Sequence, residues 1–252
     1  MAAAIFRFYE ELNDFLPAHK RKQDLTVEFN PPVPVRHLIE TLGVPHTEVE
    51  IILLNGESVP LDHPLADGDR VSVYPMFESV DVTPLLRLRE RPLRNPRPRF
   101  LADAHLGRLA GYLRMLGFDT LFGDKLEDRE LAELSSMEQR ILLTRDRALL
   151  MHRIITHGCY IRASRPRDQL SYLVERLDLC VLMQPFTRCI RCNGVLQAVE
   201  KGEVAPRLPS NVRTTRTEFR RCIQCRQVYW AGSHYQRMHS FIHTLCQEQV
   251  DA

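Results

Sequence analysis

Residues 100–116, FLADAHLGRLAGYLRML, begin as a short apolar strand and continue as an amphipathic helix. The apolar residues of this helix recur at helical spacing and form one stripe: Leu106, Leu109, Ala110, Leu113 and Leu116. Asp103 lies at the junction of the strand and the helix, and His105 follows closely. A carboxylate at this position either caps the helix or belongs to a catalytic metal site. The rest of the sequence bears on that choice.

Strands and helices alternate through residues 99–185. After the opening stretch, strands are predicted at DTLF (119–122), RILLTRD (140–146) and CYIRA (159–163), and helices at 126–137 and 167–179. A continuous apolar run such as ILL is typical of a strand that is covered on both faces of its sheet. Because alternating strands and helices are joined by right-handed crossovers, the pattern predicts an α/β domain with a parallel sheet.

Four acids follow these strands: Asp103, Asp146, Asp124 and Asp128. The first two come directly after apolar strands, Asp124 follows DTLF, and Asp128 lies in the first turn of the next helix. Ligands of a parallel sheet bind beyond the carboxyl ends of its strands, and oxygen ligands suit Mg²⁺ or Mn²⁺. Such a cation can activate water for attack on a phosphodiester. Taken singly, each acid is better explained as a helix cap or as a charge that complements a helix dipole.

Two C-x-x-C knuckles give the strongest chemical signal in the chain: Cys189, Cys192, Cys222 and Cys225. Two such pairs form a tetrahedral four-sulfur site for Zn²⁺. Four protein ligands close the coordination sphere, so this zinc is expected to be structural. The spacing predicts a zinc ribbon over residues 186–240, followed by a C-terminal tail at 241–252. Disulfide or redox chemistry of the C-x-x-C pairs is the weaker alternative.

The first 80 residues predict a separate α+β domain with the element order β-β-α-β-β, a ubiquitin-like sheet wrapped on one helix. The strands are expected within AIFRFYEEL, LTVEF, IILLNGESVPL and ADGDRVSVYPMF, and the helix within VRHLIETLGV. Residues 81–98 follow and are rich in proline and arginine. We interpret them as a linker whose arginines are also candidate nucleic-acid contacts.

The net charge of +2 divides unequally along the chain. Residues 1–80 carry −7 and residues 81–252 carry +9, so the basic part suits a polyanionic partner. No signal peptide and no membrane helix are predicted. The chain is therefore expected to be cytoplasmic, with its seven cysteines reduced. The three cysteines outside the knuckles are interpreted as buried small hydrophobic residues: Cys159, Cys180 and Cys246.

Two stretches resemble known families. Residues 42–78, LGVPHTEVEIILLNGESVPLDHPLADGDRVSVYPMFE, are similar to the sulfur-carrier type of β-grasp domain that precedes certain nuclease domains, although the free Gly-Gly tail of sulfur carriers is absent. FLADAHLGRLAGYLRMLGFDTLF, LEDREL and RILLTRDRALL together resemble the PIN-like ribonuclease domain named for the C-terminal part of the Mut-seven exonuclease. This second resemblance covers roughly residues 99–240.

The resemblance implies a metal-dependent ribonuclease. Asp103, Asp128 and Asp146 match the acids that hold Mg²⁺ or Mn²⁺ in such nucleases, and Asp124 is a plausible fourth. Five residues are candidate RNA contacts: Arg108, Arg145, Arg147, Arg221 and Tyr229. Arginines on helix faces are more often simply solvated. As an alternative to RNA contact, Tyr229 and Trp230 pack the small core of the ribbon, an interpretation that is favoured for Trp230. The alternative function is an RNA-binding or adaptor protein without catalysis, and the β-grasp domain is open to a protein partner. The oligomeric state is left open.

Overall fold

The structure, a computed structural model, describes residues 1–76, 82–85, 87–88 and 97–250. It contains two compact units. The first comprises residues 1–96, 103–105 and 123–162, and the second comprises residues 97–102, 106–122 and 163–252. Most of the linker predicted at 81–98 lies outside the described residues.

The N-terminal part has the predicted elements in the predicted order, with the short β4 as an additional strand: β1 (Ala2–Phe8), β2 (Leu25–Phe29), α1 (Val35–Thr41), β3 (Ile51–Leu54), β4 (Glu57–Ser58) and β5 (Arg70–Tyr74). Its five strands form one sheet in the order β2-β1-β5-β3-β4. In this sheet β1 pairs antiparallel with β2 and parallel with β5. The prediction of a β-grasp fold is confirmed.

The side chains of β1 alternate between buried and partly exposed, as a half-covered strand requires. Phe6 and Phe8 pack with Ile39 of α1 into the core of this domain. Asn55 and Gly56 join β3 to β4 with positive φ angles of 51° and 95°. Such a two-residue turn suits the twist of a hairpin, which explains the Asn-Gly pair.

The α/β part contains eight further elements: β6 (Phe100–Asp103), α2 (Gly107–Met115), β7 (Thr120–Gly123), α3 (Asp128–Met137), β8 (Ile141–Thr144), α4 (Arg147–Leu150), β9 (Gly158–Tyr160) and α5 (Pro166–Arg176). Its strands form a sheet in the order β7-β6-β8-β9, in which β8 and β9 are parallel. The predicted parallel-sheet domain is confirmed.

Residues 100–116 differ from their prediction at the point where the helix begins. A short 3₁₀ turn at Ala104–Leu106 precedes α2, so Asp103 ends β6 instead of capping α2. The helix ends before Gly117, whose φ is +91°. A side chain at Gly117 would also collide with the backbone of Gln184, so both conformation and space require glycine there.

The C-terminal part is built on three antiparallel strands in the order β10-β11-β12. Its elements are β10 (Leu196–Val199), α6 (Lys201–Val204), α7 (Ser210–Thr215), β11 (Phe219–Cys222), β12 (Val228–Trp230) and α8 (Ser233–Val250). The segment predicted as a tail from residue 241 is helical up to Val250. No helix in the described residues is both long enough and apolar enough to span a membrane.

The prediction for two of the three remaining cysteines was wrong. Cys180 and Cys246 form a disulfide across 66 residues of sequence, and both are only partly buried. Their separation gives no motif, and α8 is what returns Cys246 to the short 3₁₀ turn at Cys180–Leu182. Cys159 is buried, as expected, and does not take part in this disulfide.

Candidate functional site

The four knuckle cysteines converge at one point. Their sulfur atoms all lie within 4.8 Å of one another. Cys189 Sγ is 3.6 Å from Cys225 Sγ, and Cys192 Sγ is 3.4 Å from Cys222 Sγ. In a tetrahedron with metal–sulfur bonds of about 2.3 Å, the sulfurs are about 3.8 Å apart. Both the chemistry and the spacing of this donor set therefore fit a Zn²⁺ ion.

The turn of the first knuckle depends on Asn193 and Gly194. Asn193 has a φ of 69°, and its backbone N–H donates to the Cys189 carbonyl at 2.9 Å. A side chain at Gly194 would come within 2.7 Å of Cys222 Sγ. Glycine is therefore required at position 194, because the second pair of sulfurs approaches the backbone of the first knuckle.

Side chains outside the knuckles hold the first knuckle in place, and no motif indicates them. The buried Arg114 guanidinium donates to the carbonyls of Thr120 at 2.8 Å, Ile190 at 3.1 Å and Arg191 at 3.2 Å. Ile190 and Arg191 are the two residues between the cysteines of that knuckle. Arg114 thus ties α2 and β7 to the knuckle backbone.

Asn193 adds a second connection to the same part of the fold. Its Nδ2 donates to Asp119 Oδ1 at 2.7 Å, and its Oδ1 accepts from the Thr120 backbone N–H at 3.0 Å. Asp119 also pairs with Arg188, at 3.4 Å. These contacts join residues more than 60 positions apart, so local sequence patterns cannot predict them.

The thiols of the site differ in acidity. Burial acts to raise the pKa of Cys189, but hydrogen bonds from Tyr229 Oη and the Cys192 backbone N–H outweigh it and bring the pKa to about 7. Burial is also the main cause that raises the pKa of Cys192 to about 12 and raises that of Cys225. Thiolates at these distances repel one another, and a bound cation would relieve that repulsion.

Two of the predicted RNA contacts lie in the ribbon and have protein partners. Tyr229 Oη is 3.1 Å from Cys189 Sγ, and its ring packs beside the cysteine cluster. Burial and the neighbouring Cys189 raise the pKa of Tyr229, consistent with its hydroxyl donating to the sulfur. Arg221 pairs with Glu203 at 3.1 Å.

A cavity of about 960 Å³ opens against the ribbon strands and the start of α8. Its lining combines aromatic rings and guanidinium groups with two glutamates, and it includes Phe186, Trp230, Tyr235, Arg191 and Arg220. Rings and arginines are the groups that stack on bases and bind phosphates of single-stranded nucleic acid. This cavity is a second feature that motif spacing alone did not reveal.

Two predicted catalytic acids meet at Thr144, a buried residue that ends β8. The Thr144 hydroxyl donates to Asp103 Oδ2 at 2.7 Å and accepts from the backbone N–H of Asp146 at 3.0 Å. Asp146 also caps α4, because its Oδ1 accepts from the N–H groups of Ala148 and Leu149. Thr144 therefore joins the Asp103 carboxylate to the backbone of Asp146, while the Asp146 carboxylate caps α4.

The other predicted acids and arginines lie at the surface. Asp124 directly follows β7, and Asp128 is the first residue of α3; both are exposed. Within the described residues, the four acids do not form a group of three or more ligands as close as the cysteines. Arg108, Arg145 and Arg147 are exposed as well, and the Arg147 guanidinium lies over the Phe15 ring.

Comparisons with known proteins agree with this architecture. The family described as Mut7-C RNAse domain matches residues 98–242, and the family described as Mut7-C ubiquitin matches residues 1–81. A comparison with curated proteins finds no match.

Among solved structures, the small archaeal modifier protein 1 of H. volcanii is 20% identical, and a second structure of SAMP1 from Haloferax volcanii is 18% identical. Each match covers 31% of this chain and 100% of the modifier, with a TM-score of 0.25. The match to residues 98–242 spans more than half of the chain. The chain therefore belongs to the Mut7-C RNAse domain family.

Proposed function

We propose that this protein is a metal-dependent ribonuclease that hydrolyses RNA phosphodiester bonds. The observation that supports it most is the pair of acids joined by Thr144. Asp103 ends β6 and Asp146 follows β8, and both are linked to one buried hydroxyl. Membership of an RNase domain family supports the same reaction.

In this proposal Asp103, Asp146 and Asp128 bind Mg²⁺ or Mn²⁺, with Asp124 as a fourth candidate. Carboxylate oxygens are the donors that these cations prefer, and each oxygen has lone pairs beyond those used in single hydrogen bonds. A bound cation supplies activation of water and stabilisation of charge on the phosphate. The Thr144 hydroxyl fixes the Asp103 carboxylate, and the α4 N–H groups fix that of Asp146.

The remaining predicted residues are assigned to RNA and to structural zinc. Arg108 and Arg145 are exposed and are proposed to contact phosphates. Arg221 and Tyr229 belong to the ribbon, which is proposed to hold RNA on a scaffold built around Zn²⁺ bound by four cysteines. Arg147 was expected to contact RNA too, but its guanidinium lies against the Phe15 carbonyl and two aromatic rings.

The experiment is cleavage of a labelled single-stranded RNA and a structured RNA with Mn²⁺, comparing wild type, Asp103→Asn and Asp146→Asn. We expect each variant to lose about 100-fold or more in rate, because a metal contributes several kcal/mol to the transition state. Glu133→Gln is the matched control, since it removes an exposed acid whose ion pair in the described part of the chain is with Arg129 on α3. Equal cleavage by wild type and both asparagine variants would reject the proposal.

A second candidate function is RNA binding without cleavage, and the cavity beside the ribbon favours it. This function predicts RNA affinity with no turnover in Mg²⁺ or Mn²⁺. The same RNAs decide between the two functions, because a binding protein would retain them uncut and the asparagine variants would bind as the wild type does.

A further inference from the structure

The first unit contains a compact cluster of two rings and two guanidinium groups, the ring cluster. Phe15 of the β-grasp part and Tyr160 of β9 have ring centroids 5.5 Å apart. Arg147 Cζ lies 5.1 Å from the Phe15 centroid and 5.3 Å from that of Tyr160. Arg162 Cζ lies 4.5 Å and 5.8 Å from the same two centroids. Each arginine is therefore within cation–π distance of both rings.

Hydrogen bonds fix both arginines against the 3₁₀ helix at Glu10–Phe15. Arg147 Nη1 donates to the Phe15 carbonyl at 3.3 Å, and Arg162 Nη2 donates to the Glu11 carbonyl at 3.1 Å. Arg162 also lies 3.9 Å from Asp14 Oδ2. The ring cluster is thus held by directional contacts in addition to the apolar packing of the buried Phe15.

Other contacts join the β-grasp part to β9 and to the residues just before it. The Tyr160 backbone N–H donates to Glu48 Oε1 at 2.6 Å, and His46 Nε2 is 2.8 Å from the Ile155 carbonyl. His46 and Glu48 are buried. A side chain at Gly158 would come within 3.3 Å of Thr47, so the two surfaces are close along β9.

The ring cluster is directly connected to a proposed catalytic acid. Arg147 is the first residue of α4, and Asp146 is the N-cap of that helix. Asp146 is in turn joined to Asp103 through Thr144. A continuous set of contacts therefore runs from Phe15, through Arg147 and the α4 cap, to both acids.

We propose that the β-grasp domain is a built-in positioning element of the nuclease, which fixes Asp146 by holding Arg147 against Phe15. This proposal rests on the proposed ribonuclease function. Arg147 is then a positioning residue instead of an RNA contact, because its guanidinium is engaged by a backbone carbonyl and two rings. Arg162 contacts the same rings but lies after β9, away from the α4 cap, and serves to dock the domain.

Three full-length variants separate positioning from docking. Arg147→Ala is expected to lower kcat at least about tenfold with the KM for RNA within about twofold, because small misplacements of a catalytic group cost up to about 100-fold. Arg147→Lys, which keeps a cation over the rings, should recover part of that loss. Arg162→Ala removes an equivalent ring contact and should keep kcat within about twofold.

Hydrogen exchange gives a readout that does not depend on activity. The N–H groups of Ala148 and Leu149 donate to Asp146 Oδ1, so their exchange reports the order of the cap. We expect exchange at least about tenfold faster in Arg147→Ala and unchanged in Arg162→Ala. If the two variants match in both kcat and exchange at residues 146–150, the positioning role is wrong. If the wild type cuts no RNA, the ribonuclease proposal fails, and exchange alone still decides the role of Arg147.

Discussion

Replacing Arg114 by methionine is expected to destabilise the four-cysteine site without removing a ligand. Its guanidinium makes one hydrogen bond to Thr120 and shares one Nη1 between two carbonyls of the first knuckle. Hydrogen bonds from charged donors contribute about 1.5–3 kcal/mol each. Burial lowers the pKa of Arg114, so the cost of burying its charge offsets part of this gain. We therefore take the lower end and expect the free energy of unfolding to fall by about 3 kcal/mol.

A loss of this size lowers the Tm by about 6–12 °C for a chain of this length. Thermal unfolding of the zinc-loaded protein measures it, and competition with a chromogenic chelator measures zinc retention. Arg213→Met is the matched control because Arg213 is exposed on α7 of the same unit, and its effect should stay within about 0.5 kcal/mol. If Arg114→Met unfolds within about 2 °C of the wild type and keeps zinc equally well, Arg114 does not stabilise the four-cysteine site.

Two more predictions concern the second unit. Replacing Cys180 and Cys246 by serine removes a crosslink over 66 residues. Because the crosslink lowers the entropy of the unfolded chain, it is expected to add about 4 kcal/mol to the free energy of unfolding. Reductant should therefore lower the Tm of the wild type and leave the Tm of the double variant unchanged. An equal change of Tm in the two proteins would show that the disulfide does not form. Trp230 is the single tryptophan and lines the cavity, so oligouridine should quench its fluorescence. Arg220→Ala should weaken this binding several-fold more than Arg213→Ala does, and fluorescence unchanged at high RNA concentration would exclude the cavity as a binding site.

The elements of the fold could be predicted because their signals are local. The alternation in β1, the apolar stripe of α2 and the Asn55-Gly56 turn each depend on residues a few positions apart. The cysteine cluster was also predictable, because each C-x-x-C knuckle directs two sulfurs to one point, and two knuckles in one ribbon complete the set.

The residues that support these sites could not be predicted, because their contacts join distant parts of the chain. From the sequence, Arg114 is an ordinary helix arginine, and only the structure shows that it donates to carbonyls of the first knuckle. From the sequence, Thr144 is an ordinary strand residue and Arg147 an ordinary surface cation. Their contacts with Asp103 and Phe15, respectively, are known only from the structure. The disulfide was missed for the same reason: Cys180 and Cys246 have no motif around them, and only the path of α8 brings them together.

The proposed metal-dependent cleavage is tested most sharply by single-turnover cleavage of one end-labelled single-stranded RNA. The rate is measured as a function of Mn²⁺ concentration for the wild type and for Asp146→Asn. We expect cleavage to rise with Mn²⁺ in the wild type and to be slower by about 100-fold or more in the variant, with RNA binding retained. Cleavage that is independent of Mn²⁺, or equal in the two proteins, would contradict this expectation.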